Sequence, residues 1–131
     1  MTYRFQLTDY FRFAFILLLG WVSVTTLSGK VLPFLNGLDL IFHEAGHVIL
    51  FFLGEYMRIL GGTIGQLAIP LLFAVYFFLQ NNIYASAIML WWFGENFINV
   101  SVYAGDARAH ELPILGGDYS LHDWTYLLGK L

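Results

Sequence analysis

Apolar residues run along this chain in four long stretches, separated by short polar or glycine-rich breaks. The first extends from about Phe13 to Leu27 and is preceded by Arg4 and Arg12. The second covers about Pro33 to Met57, the third about Ile64 to Leu79, and the fourth about Ile83 to Tyr103. Each approaches the roughly 20 residues that a helix needs to span the hydrocarbon of a bilayer. Gly29-Lys30, Gly61-Gly62 and Gln80-Asn81-Asn82 are expected to be the breaks between them. Backbone amides in lipid must be satisfied within the segment, which favours helices over irregular chain. The expectation is an all-α membrane protein: a bundle of about four transmembrane helices, with a C-terminal segment packed against it.

Composition strengthens that picture. Of 131 residues, 59% are hydrophobic and only 11% charged, and soluble domains carry about twice that charged fraction. Too few water-facing residues remain to coat a globule, so the chain is read as one membrane-embedded domain over residues 1–131. A formal net charge of −3 excludes a strongly basic surface, and nucleic acid is not an expected partner. Without cysteine there is no disulfide, no thiolate nucleophile and no thiolate metal site. The first stretch resembles a signal peptide in outline but is read as a retained helix. Four spans would bring the N-terminus, Arg58 and the Arg108/Lys130 tail to one side. Only Lys30 marks the other side, so both termini are expected to be cytoplasmic.

The candidate chemistry lies in the second stretch, as His43-Glu44-Ala45-Gly46-His47. On a helix, positions four apart share a face, so both imidazoles can reach one ion and Glu44 sits beside them as a general base. Ionisable groups at mid-bilayer cost roughly 2.5–3.5 kcal/mol each, and such residues are seldom idle. The bland alternative is that the histidines only hydrogen-bond to neighbouring helices. Catalytic zinc usually takes three protein groups and a water, so a third ligand is needed.

Two regions can supply it. Asn96, Asn99, Tyr103 and Asp106 fall on one helical face of the fourth stretch, which should turn into the bundle and line the site. The asparagines serve equally well as interhelical glue. The tail offers His110, Asp118 and His122-Asp123-Trp124, with His122 the best zinc ligand by chemistry and Asp118 a plausible carboxylate. The Leu112–Leu115 run can tuck against the bundle, and Gly116-Gly117 permits a reversal. His110 is expected to be an ordinary exposed histidine. Arg108 can pair with Asp106 or Asp123 and hold the tail in place. Gln66 is expected to cap a helix, Gly61 and Gly65 to serve a turn, and Trp91 and Trp92 to pack or face lipid.

The His43-Glu44-x-x-His47 motif on a membrane helix, with Asn99 followed seven residues later by Asp106, resembles the site-2 protease class of intramembrane zinc metalloproteases. The resemblance implies His43 and His47 as zinc ligands, Glu44 as the catalytic base and Asp106 as third ligand, whereas ligand chemistry and a foldable tail favour His122 as the alternative third ligand. The prolines that the class carries between its asparagine and aspartate are absent here, and Ala107 follows Asp106 where the class has glycine. On this footing the chain is expected to be a zinc-dependent endopeptidase acting on a membrane protein or peptide, with or without membrane partner subunits. Two further classes stay open: a non-catalytic metal-binding subunit that holds a partner protein, and a redox or lipid-modifying enzyme. Glu44 between the histidines favours hydrolysis over redox chemistry.

Overall fold

The computed structural model describes residues 6–28, 30, 32–109 and 122–130. Every regular element among them is helical: α1 (Leu7–Leu27), α2 (Pro33–Leu50), a short 3-10 turn (Phe51–Leu53), α3 (Glu55–Leu79), α4 (Ile83–Asp106) and α5 (Asp123–Gly129). Of the five helices, α1 and α3 are long and apolar enough to cross a membrane. The chain forms two compact units, Met1–Pro33 and Phe34–Leu131. Arg4, Gly29, His110, the Leu112–Gly117 run and Asp118 lie outside the described residues.

In the first unit, α1 begins several residues before the apolar stretch. The Gln6 backbone N–H donates to Asp9 Oδ2 at 2.9 Å, which satisfies one of the open donors of the first turn. Towards its end the Ser23, Thr25 and Ser28 hydroxyls donate to the carbonyls of Leu19, Val22 and Val24, hiding polar groups against the helix itself.

At the boundary of the second unit, α2 opens on Pro33, whose missing N–H costs nothing at a helix start. After the 3-10 turn the chain reverses at Gly54, where φ of 95° suits glycine and strains other residues. The expected break at Gly61-Gly62 is not a break. The helix runs through it, and the glycines serve a tertiary approach instead. A Cβ on Gly46 of α2 would run into the Gly61 carbonyl of α3. One on Gly61 would stand 2.5 Å from the Gly46 carbonyl oxygen, and one on Gly65 would stand 2.6 Å from that of Phe42. Each glycine inside a helix costs about 1 kcal/mol relative to alanine. Close backbone packing, the usual use of small residues between membrane helices, offsets that cost.

Between α3 and α4 the break falls at Gln80-Asn81-Asn82, as expected. Asn81 takes a left-handed φ of 57°, a conformation that asparagine tolerates, and Asn82 Oδ1 caps the Ala85 N–H at 3.1 Å. Gln66 is not a cap, because α3 begins at Glu55. Buried inside the helix, it donates from Nε2 to Asn99 Oδ1 (3.1 Å), and Asn99 Nδ2 donates to Asn36 Oδ1 (3.5 Å). These bonds tie α2, α3 and α4 together.

Candidate metal centre

Four of the five polar residues of α2 fall on one face: Asn36, Asp39, His43 and His47, with Gly46 between the last two. His43 and His47 sit one turn apart and meet edge to face, ring centroids 4.8 Å from each other. Asp123, the first residue of α5, points its carboxylate between them. Its Oδ2 lies 2.8 Å from His43 Nε2 and 3.3 Å from His47 Nε2. One donor atom from each of the three residues lies within 4.8 Å of the others, so the group can hold a metal ion.

The surroundings of His47 favour that use. Its Nδ1 lies 2.8 Å from the carbonyl oxygen of Arg58. A carbonyl only accepts, so Nδ1 carries the proton and Nε2 is the nitrogen left to bind an ion. Histidines that ligate metals commonly donate their other N–H in this way. The floor beneath both rings is Gly62. A Cβ there would stand 2.5 Å from His43 Nε2 and 2.7 Å from His47 Cε1. The same glycine stripe that lets α3 approach α2 therefore makes room for the imidazoles.

Asp123 is seated among residues that the sequence offered as ligands, Asp106 and His122, and as site lining, Tyr103. Tyr103 on α4 meets His43 edge-on at 6.0 Å and stacks on His122 at 4.3 Å, the rings 24° apart. The Tyr103 side chain also lies close to the Asp123 backbone. His122 is fully buried, with Nε2 3.8 Å from Asp106 Oδ2. Thr125 Oγ1 donates to the Ala107 carbonyl (2.7 Å), and Leu127 is buried. Asp106 and His122 thus face each other and lie outside the three-residue group, and the next residue in the chain, Asp123, turns to the histidines. Burial alone would raise the Asp123 carboxyl. The two imidazoles facing it, which donate to it and carry charge when protonated, outweigh burial and hold the group at about 2.

The other expected site residues take varied places. Glu44 is exposed, next to His43 on α2 and outside the group of three. Asn96 is fully buried and donates from Nδ2 to the Trp92 carbonyl (3.0 Å), while Asn99 is engaged with Gln66 and Asn36. Arg108 is exposed, and the carboxylates offered to it face histidines instead. Trp92 is more than a packing residue: its indole N–H donates to Asp39 Oδ1 at 2.8 Å. Sequence reasoning passed over Asp39 and treated Asp123 only as a partner for Arg108. The available signals were a carboxylate four positions before His43 and a second potential ligand beside His122. No family model matches the chain, and no curated protein or solved structure matches it.

Proposed function

We propose that this chain is a zinc-dependent endopeptidase of the membrane, hydrolysing peptide bonds within or beside the bilayer. One observation carries the reading: His43 and His47 converge with Asp123 on one point, with Glu44 adjacent to the first histidine. Two imidazoles and a carboxylate are the donor set of several catalytic zinc sites. The same set also serves non-haem iron, and it is Glu44 that favours hydrolysis. His43, His47 and Asp123 would hold the ion. Zinc there would supply Lewis acidity, bringing the pKa of a water near neutrality and polarising the scissile carbonyl.

The remaining steps belong to the protein. Glu44 takes a proton from the water as its oxygen adds to the carbonyl carbon, then passes that proton to the amide nitrogen as the C–N bond breaks. The products are a carboxylate and a free amine. Tyr103, half-buried beside His43, is the side chain best placed to donate to the developing oxyanion. Such a donor is worth roughly 2.7–4 kcal/mol in soluble proteases.

Membrane placement rests on the exposed apolar surface. Phe11, Leu17 and Leu18 on α1, and Leu72, Phe73, Phe78 and Leu79 on α3, all face outward. Soluble monomers seldom expose such contiguous patches. At about 1.5 Å per residue, α2 and α4 measure roughly 27 and 36 Å, near the hydrocarbon thickness. We place them as two further spans, four in all, with both termini in the cytoplasm and the polar faces of α2 and α4 meeting inside. Substrates are then membrane proteins or peptides, with any further selectivity coming from partner subunits.

The test uses zinc-loaded protein in proteoliposomes with unfolded and transmembrane peptides. Glu44→Gln should keep the metal and lose cleavage, whereas His43→Ala should lose both. If the wild type cleaves nothing and Glu44→Gln leaves the cellular phenotype intact, a metal-binding scaffold for a partner protein replaces the peptidase.

A further inference from the structure

One turn before His43, on the same face of α2, Asp39 is buried to 2% exposure. Its Oδ1 accepts the Trp92 indole N–H (2.8 Å), while its Oδ2 has no partner. Asn96, one turn beyond Trp92 on α4, has its side chain beside that of Asp39. Its Nδ2 is committed to the Trp92 carbonyl (3.0 Å), which fixes the orientation of the amide because a carbonyl cannot donate to another. That leaves Asn96 Oδ1, fully buried, also without a partner. Two neighbouring residues thus each present an unmatched acceptor in a site closed to solvent, where unmatched polar atoms are rare. A single proton on Asp39 Oδ2, donated to Asn96 Oδ1, satisfies both at once. It also removes an isolated buried charge, which an apolar bundle tolerates poorly.

We propose that Asp39 is a protonated, neutral carboxylic acid in the folded protein. With Trp92 and Asn96 it forms a positioning lock that sets the rotation of α2 against α4 and so aims His43 at the metal. Asp39 touches neither ion nor substrate in this scheme; it acts through the helix. The positioning half of the proposal rests on the metal-centre reading, whereas the proton itself does not.

The experiment uses the full chain in lipid nanodiscs and has two readouts. Infrared difference spectra of protein carrying ¹³C-labelled aspartate carboxyls should show a protonated-acid carbonyl band that moves with the label. The band should disappear in Asp39→Asn. Zinc affinity, measured by chelator competition, should be retained in Asp39→Asn, whose amide reproduces both bonds. It should fall about tenfold or more in Asp39→Leu, the usual scale for losing a group that orients a ligand. Absence of the band at neutral pH, as for an ionised Asp39 bridged to Asn96 by water, overturns the proton. Loss of zinc by Asp39→Asn, or wild-type affinity in a folded Asp39→Leu, overturns the lock. If Asp39→Leu does not fold, the Asp39→Asn results still decide the matter. Wild-type protein that binds no zinc instead removes the metal-centre reading, and the infrared band still reports on Asp39.

Discussion

Gly62→Ala is the smallest change that reaches the candidate centre without touching a ligand. The added methyl would lie 2.5 Å from His43 Nε2, 2.6 Å from His43 Cε1 and 2.7 Å from His47 Cε1. Ordinary contacts are about 3.5 Å, so the rings must retreat by about 1 Å or the helices must part. Parting is resisted at the adjacent Gly46–Gly61 contact, where the two backbones already touch. A metal site tolerates errors of about 0.2 Å in its ligands. Zinc affinity should therefore fall about 10- to 100-fold, as when groups that orient metal-ligating histidines are lost. Overpacking should also destabilise the fold by about 1–3 kcal/mol, offset in part by about 0.5–1 kcal/mol from replacing a helical glycine. Gly94→Ala is the control, since a Cβ there meets nothing within 4 Å. It should leave zinc binding alone and raise thermal stability slightly. Chelator competition on both variants reads the first quantity and thermal unfolding in chelator the second. Wild-type zinc affinity in a folded Gly62→Ala would refute the placement of both imidazoles against α3.

Three further outcomes follow from the seat of Asp123. Asp123→Ala should lower zinc affinity by at least about tenfold while leaving helix content unchanged by circular dichroism, because α2, α3 and α4 are tied by their own bonds. His122→Ala removes the ring stacked on Tyr103 and opposite Asp106. It should weaken zinc binding less than Asp123→Ala and speed amide exchange in α5, read by hydrogen–deuterium exchange. The metal-free protein should also lose stability in acid. A carboxyl held at about 2 in the fold and near 3.8 when unfolded contributes about 2 kcal/mol above pH 4. That contribution should be lost as pH falls from about 4 to about 2, and Asp123→Asn should abolish this part of an acid titration.

Sequence patterning went further for the helices than for the site. The lengths of the apolar stretches foretold four long helices, although α2 ends at Leu50 and α3 begins at Glu55, ahead of the expected Ile64; Asn81-Asn82 marked a turn because asparagine both tolerates a left-handed φ and caps. Gly61-Gly62 misled because local propensity treats paired glycines as a break. Their purpose lies on another helix, in the Gly46 backbone and the two imidazoles, which local pattern cannot show. The spacing of His43 and His47 was legible because one helix sets it. The carboxylate beside them comes from eighty positions away, so it depends on how the tail folds back. In the tail, His122 and Asp123 are adjacent and both suit a metal. The stacking of His122 on Tyr103, a tertiary contact, decides which of them turns to the histidines. Asp39 was hidden for the same reason, since its partners Trp92 and Asn96 sit on α4.

X-ray absorption on the purified, metal-analysed protein reads whether His43, His47 and Asp123 hold a single zinc ion. One zinc per chain is expected, with two imidazole nitrogens and carboxylate or water oxygens at about 2.0–2.2 Å. One imidazole should disappear from the spectrum in His47→Ala, and affinity should drop in Asp123→Ala. Protein that purifies without zinc and takes up none, or zinc whose spectrum is the same in wild type and His47→Ala, would contradict it.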